Sequence, residues 1–188
     1  MQVLECIKTR RSIRRFTDQA VPDAVLKELM EAIQWAPSWA NTQCREVVVV
    51  KDAAMKQQLS ELLAPNNPAT KGVIEAPVVL VFCARKGVAG FKKGLQTTNK
   101  GDWYMFDLGI AAQNLCLAAH EKGLGTVHIG NIDHEAVDKL LGLPEGVESV
   151  EIIPVGYPAA AGNAPPRKPL EEFVFAERYG QKMIFENN

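Results

Sequence analysis

The chain has 188 residues, 47% of them hydrophobic and 23% charged, with a formal net charge of −1. That hydrophobic share excludes a disordered chain, and 14 Gly with 11 Pro exclude a fibrous one. A near-neutral balance argues against general nucleic-acid binding, which needs a surplus of Lys and Arg to displace counterions.

The length is that of one compact domain, 1–188, able to bury roughly 70% of its unfolded surface without disulfide or metal staples. Cys6, Cys44, Cys83 and Cys116 stand singly and form no CxxC pair. They read as small hydrophobes of a reducing compartment. His120, His128 and His134 share no ligand-like spacing with them, so no metal site is expected. No run of 18 apolar residues occurs, so no membrane span is expected. The basic N-terminus is interrupted by Glu5 and Asp18 and lacks a cleavable apolar core, which points to a cytoplasmic protein.

In chain order, residues 2–9 predict a short helix. Pro22 opens a second helix, with Val25, Leu26, Leu29, Met30 and Ile33 on one face, that ends before Pro37. Residues 37–43 read as a polar loop. Val47–Val50 reads as a buried strand, 52–64 as a helix, 65–68 as a loop and Val78–Cys83 as a second buried strand. The glycine-rich segment 86–101, with Lys86, Lys92, Lys93 and Lys100, reads as a loop or lid. The segment 102–122 is apolar on nearly all sides, as a central helix is, and Gly123 stops it. A third strand is expected at Val127–Ile129, a helix at 134–141 and a fourth strand at 150–155. A Pro/Gly/Ala-rich connection, 158–169, leads to a tail carrying Phe173, Val174, Phe175, Tyr179, Ile184 and Phe185. A tail that apolar should dock on this subunit or on a partner. Alternating helices and strands imply an α+β or α/β sandwich with four or five strands.

Charge is unevenly placed. Residues 1–15 carry five basic groups and one acidic group; the remainder carries 16 basic and 21 acidic groups. A cationic cluster on an acidic body suggests one specific anion. The usual catalytic signatures are missing: no P-loop, no GxSxG elbow and no HExxH. Gly123, Gly125 and Gly130 are wrongly spaced for a dinucleotide loop and follow a helix, where that loop needs a strand. What remains is Arg10-Arg11-Ser12-Ile13-Arg14-Arg15-Phe16. Guanidinium forks grip phosphate oxygens in pairs, and a serine hydroxyl adds a donor. On arginine content alone a solvated basic face, or a short nucleic-acid or membrane patch, is favoured over a phosphate site.

The motifs RRSIRRF (10–16), APSWANTQ (36–43), DLGIAAQNLCLAAHEKGLGTVHIG (107–130), IIPVGYP (152–158) and RKPLEE (167–172) stand in one order along the chain. In that order and spacing they resemble the nitroreductase family of FMN-dependent NAD(P)H oxidoreductases. The resemblance implies a three-layer α/β sandwich, with a mostly antiparallel sheet of four to five strands between helices. It also implies a homodimer with FMN at the subunit interface, on which the C-terminal tail docks. By resemblance, Arg10, Ser12 and Arg167 hold the FMN phosphate, with Arg11 and Lys168 as weaker candidates. Arg14 lies near the pyrimidine end of the flavin, and Lys71 near the ring. Pro37, Ser38, Trp39 and Asn41 reach FMN from the other subunit. His128, Ile129 and Gly130 form the segment facing flavin N5. The chain departs from the family where many relatives carry Pro and Glu and it has His128 and Gly130. His128 itself reads as a packed strand residue making one hydrogen bond.

The implied activity passes hydride from NADH or NADPH through flavin N5 to an electron-poor acceptor such as a nitroaromatic or quinone, by ping-pong turnover. No catalytic side chain is needed, because the cofactor carries the chemistry. Two alternatives stand beside it: the same fold with a specialised flavin reaction, such as dehalogenation or flavin fragmentation, and a non-enzymatic flavin-binding protein.

Overall fold

The structure is a computed structural model and describes residues 1–162 and 164–185. Its centre is β2 (Val78–Arg85), whose residues from Val78 to Ala84 are all at most 1% exposed. An uninterrupted apolar strand needs cover on both faces, and β2 has it. Val78, Leu80, Phe82 and Ala84 pack with α2 (Asp23–Gln34) and α5 (Tyr104–Glu121). Val79, Val81 and Cys83 pack on the opposite side with α3 (Ala53–Glu61), α4 (Thr70–Glu75) and α6 (His134–Leu141). The result is three layers, helices–sheet–helices.

The sheet has four strands in the order β1 (Arg45–Val50), β2, β6 (Val147–Gly156), β5 (Gly125–Thr126), and every pairing is antiparallel. On β6, Phe82 faces Glu151 and Cys83 faces Ser149, which leaves Val150 as a bulge. α1 (Val3–Thr9) packs on α5. Local chemistry sets the helix ends. Asp52 accepts the Met55 amide at 2.8 Å and Asp133 accepts the Ala136 amide at 3.1 Å. α5 stops at Gly123, whose φ of +74° continues no right-handed helix.

Two expectations need correction. Val47–Val50 is not a buried strand. β1 lies at the sheet edge, paired on one side only, and Val49 is 41% exposed. The third strand lies at 125–126, not at 127–129. Beyond it only Ile129 rejoins β6, through reciprocal bonds with Ile152 at 3.0 and 2.9 Å, while His128 turns outward. The 86–101 segment, expected as a loop or lid, carries a short hairpin, β3 (Phe91–Lys92) with β4 (Leu95–Gln96), and is tied at its base by the Trp103 indole N–H donating to Thr98 Oγ1 at 2.9 Å.

One face of α5 is fully buried through Leu108, Ala111, Leu115 and Cys116, while Met105 and Phe106 are exposed. Leu170, Phe173, Tyr179 and Ile184 of the tail and Val3 and Leu4 of α1 are exposed as well. No helix among the described residues is long and apolar enough to cross a membrane.

Candidate functional site: an arginine cleft

After α1 the chain runs extended. Ser12 makes a parallel bridge to Thr126, and the Ile13 amide donates to the Thr126 carbonyl at 2.9 Å. The approach is close. A Cβ on Gly125 would stand 2.6 Å from Ile13 Cβ, and one on Gly72 would stand 2.7 Å from the Arg14 carbonyl oxygen. Residues 10–16 are thus gripped between β5 and α4.

The arginines of this segment are alike in sequence and unlike in place. Arg15 makes a two-pronged pair with Glu75, its Nε at 3.0 and 2.9 Å from the two carboxylate oxygens and its Nη2 at 2.7 Å. That pairing holds the Glu75 carboxyl below its usual range. Arg11 turns back to the end of α1, donating to the carbonyls of Lys8 at 2.6 Å and Arg10 at 2.8 Å. Arg14 is exposed and has no acidic partner among the described residues. Arg10 has a buried Nη1 with no acceptor. Leaving a buried donor unpaired costs about 1–3 kcal/mol, more for a charged group, so an anion reaching that nitrogen is stabilised.

These side chains line a cleft of about 400 Å³ together with Ser12, residues 160–162, Pro165 and Arg167. A Cβ on Gly162 would meet Arg11 Cβ at 2.6 Å, so the 160–162 wall lies directly on the arginine segment. Of the residues expected to hold a phosphate, Arg10, Arg11, Ser12, Arg14 and Arg167 come together here; Lys168 is exposed and does not line the cleft. Lys71 lies on α4, the helix that presses on Arg14 through Gly72.

The loop 37–43 lies apart. Pro37, Ser38 and Trp39 line a separate cavity of about 240 Å³ with Trp103, Phe106 and Asp107. Ala40, Asn41 and Gln43 all have positive φ, of 42°, 58° and 50°. Such conformations persist in non-glycine residues only where the surroundings impose them. Here the buried Asp107 carboxylate accepts the Trp39 amide, and Ser38 Oγ accepts the Gln43 amide at 3.0 Å. Trp39 packs on Trp103 with centroids 5.2 Å apart, and Trp103 meets Phe106 edge-on at 5.4 Å. Burial, then the Asp107 charge, pushes the Cys44 thiol up to about 12, so the thiol stays protonated 3.6 Å from Asp107 Oδ2. Sequence reasoning passed over Asp107, although a lone acid in an apolar helix was the signal for it.

In the segment 128–130, Ile129 is buried and His128 and Gly130 are exposed. Nothing approaches a Cβ position on Gly130 more closely than the Val150 carbonyl at 4.0 Å, so the glycine leaves open surface. His128 makes two side-chain contacts where one was expected: Nδ1 is 2.7 Å from Glu151 Oε2, and Nε2 is 3.4 Å from Cys116 Sγ. The hydrogen bonds to Cys116 and Glu151 push the imidazole up to about 10 against the opposing effect of burial.

The sequence pattern of the nitroreductase family matches residues 7–157. A Bacillus subtilis protein named as an FMN reductase acting with NAD(P)H is 35% identical, over 95% of this chain and 74% of its own length. The oxygen-insensitive NADPH nitroreductase of Salmonella typhimurium is 31% identical, over 94% and 74%. The crystal structure of a nitroreductase family protein from Streptococcus pneumoniae shares the fold, with a TM-score of 0.82 at 24% identity over 94% of this chain and all of that one.

Proposed function

This chain belongs to the nitroreductase family, and from that premise we propose that it is an FMN-dependent NAD(P)H oxidoreductase, working as a cytoplasmic homodimer of one-domain subunits. The observation that carries the reading is the buried, acceptorless Arg10 Nη1 in a cleft shared with Ser12, Arg14 and Arg167. That donor set fits a phosphomonoester dianion, the charged end of FMN.

Arg10, Ser12 and Arg167 bind the phosphate, and Arg11 keeps the end of α1 in place behind them. Arg14 and Lys71 supply positive charge at the pyrimidine end of the ring. The backbone of His128, Ile129 and Gly130 borders N5, where the missing side chain of Gly130 leaves room for a second molecule. Bound FMN supplies an N5 that takes hydride from NADH or NADPH and yields the electrons to an electron-poor acceptor such as a nitroaromatic or quinone.

The dimer supports the same reading from another side. Pro37, Ser38, Trp39 and Asn41 stand apart from the arginine cleft of their own chain, which suits a loop serving the partner's flavin. Val3, Leu4, Met105, Phe106, Phe173 and Ile184 are each exposed, as apolar residues covered by a second subunit would be. The 86–101 hairpin, adjoining this loop through Trp103, acts as a lid.

The visible spectrum of the purified protein tests this, followed by anaerobic addition of NADH or NADPH. The expected result is a yellow, heat-releasable FMN that bleaches with one or both nucleotides, and parallel lines in double-reciprocal plots. A colourless protein that takes up no added FMN overturns the cofactor. A flavin that stays oxidised with both nucleotides overturns the oxidoreductase. Intersecting lines overturn the ping-pong order alone.

A further inference from the structure

A second cavity, of about 670 Å³, lies against the arginine cleft. The two have Arg10, Arg11, Ile13, Ala161 and Gly162 as common walls. Thr9 at the end of α1, His120 and Glu121 at the end of α5, and Leu124, Pro158 and Ala164 line the second cavity alone. Its volume lies within the range of about 300–1,000 Å³ usual for small-molecule sites. A phosphate held at Arg10 therefore borders the cleft on one side and further space on the other.

That space carries unused polar groups. Arg11 commits only Nη1, to the carbonyls of Lys8 and Arg10, and its Nε and Nη2 meet no acceptor among the described residues. The buried, acceptorless Nη1 of Arg10 belongs to the same boundary. Thr9 Oγ1 gives its one hydrogen to the Glu5 carbonyl at 2.7 Å. At 2.8 Å from His120 Nε2 it therefore accepts, and that nitrogen carries the hydrogen of the ring. Burial, then the charges of Arg10 and Arg11, lowers the His120 pKa, so at neutral pH the ring is uncharged. Its Nδ1 is then an acceptor, and it has no partner among the described residues. Glu121 is paired with the Met1 amine at 3.4 Å. Ile13 and Leu124, 7% and 2% exposed, stand with Pro158 and Ala164 as the apolar part of the lining.

We propose that the second cavity takes the adenosine monophosphate half of a flavin dinucleotide, so that the protein accepts FAD as well as FMN. The inference rests on the FMN reading above. FAD is FMN extended through its own phosphate, so the flavin ring needs no new position. Arg10 and Arg11 stand at the diphosphate, where guanidinium donors are strongest. His120 Nδ1 accepts from a ribose hydroxyl, and the apolar residues flank the base.

The test is the affinity of the purified protein for FMN and for FAD, measured by exchange of the bound flavin, in wild type, Ala164→Ile and His120→Gln. Both substituted residues line the second cavity and not the cleft. Wild type is expected to hold the two flavins within about tenfold of each other, a difference of about 1.4 kcal/mol. Ala164→Ile narrows the cavity and is expected to weaken FAD about tenfold while FMN affinity stays at the wild-type value. His120→Gln is expected to act in the same direction. A wild-type protein that binds FAD more than about a hundredfold less tightly than FMN overturns the inference. So does an Ala164→Ile protein whose two affinities fall together or stay unchanged. A rise in KM for NADH or NADPH with FAD affinity unchanged overturns it too, and gives the cavity to the adenylate of the electron donor. Should Ala164→Ile not fold, His120→Gln decides alone: an unchanged ratio of FAD to FMN affinity overturns the inference. A wild-type protein that takes up neither flavin overturns the FMN reading instead.

Discussion

The Asp107 carboxylate, 1% exposed, accepts the Trp39 amide with oxygens at 2.9 and 3.0 Å. One buried acid on α5 thereby anchors a loop in which Ala40, Asn41 and Gln43 all stand in the left-handed region.

Asp107→Ala should therefore lower stability by about 1–3 kcal/mol, the cost of leaving the Trp39 amide buried without an acceptor. The urea midpoint should fall with its slope unchanged. Ala40→Gly should act in the opposite direction. It relieves about 1–2 kcal/mol of left-handed strain and adds about 0.5–1 kcal/mol of glycine entropy. An Asp107→Ala protein with the wild-type midpoint would mean that the loop holds itself.

The arginines of the cleft should separate in FMN titrations. Arg10→Ala should weaken FMN binding by about 1.5–3 kcal/mol, the scale of hydrogen bonds to a charged group. Arg10→Lys should recover only part of it, because an ammonium lacks the paired donors. Arg15→Ala should leave FMN affinity near wild type, since Glu75 already holds the Nε–Nη2 edge of that guanidinium. Equal losses at Arg10 and Arg15 would contradict the assignment.

Stability should fall with rising pH through His128. Its folded value of about 10 lies above the ordinary 6.5, so the folded protein keeps a proton that the unfolded chain releases. The contribution is fully present below about pH 6.5, declines through the interval and is gone above about pH 10. Denaturant midpoints of wild type and His128→Gln should converge as pH rises through that window. Profiles that run parallel would show that the ring carries no such proton.

Two glycines near the site should respond oppositely to an added methyl. Gly125→Ala drives a Cβ to 2.6 Å from Ile13 Cβ and should destabilise by about 1–3 kcal/mol, as overpacking does. Gly130→Ala meets nothing closer than 4.0 Å and should leave the melting temperature within a degree or two of wild type. If Gly130→Ala proved the more damaging to folding, the open surface at the N5 segment would be in question.

Several elements were readable because their signals are local. Pro22, the spacing of Leu26, Leu29 and Ile33, and Pro37, which cannot continue a helix, define α2 within a short stretch of chain. Asp133 and Gly142 bracket α6 in the same way. Other elements were misread because their surroundings are distant. Val47–Val50 looks as buried as Val78–Cys83, and only the strand order makes one an edge and the other the centre.

The sequence by itself determined every helix but the short α4, the apolar central strand, the cationic cluster at 10–15 and the family resemblance, since periodicity, capping and motif order lie along the chain. Only the tertiary structure decided what each charged group does. Arg15 finds Glu75 across 60 residues, Trp39 finds Asp107 across 68, and His128 finds Glu151 across 23. Two arginines four positions apart from Arg11 to Arg15 are chemically identical until folding surrounds them. Burial and partners, which long-range packing alone assigns, make one a helix-end brace and the other half of an ion pair, and leave Arg10 with a buried Nη1 that no acceptor among the described residues meets.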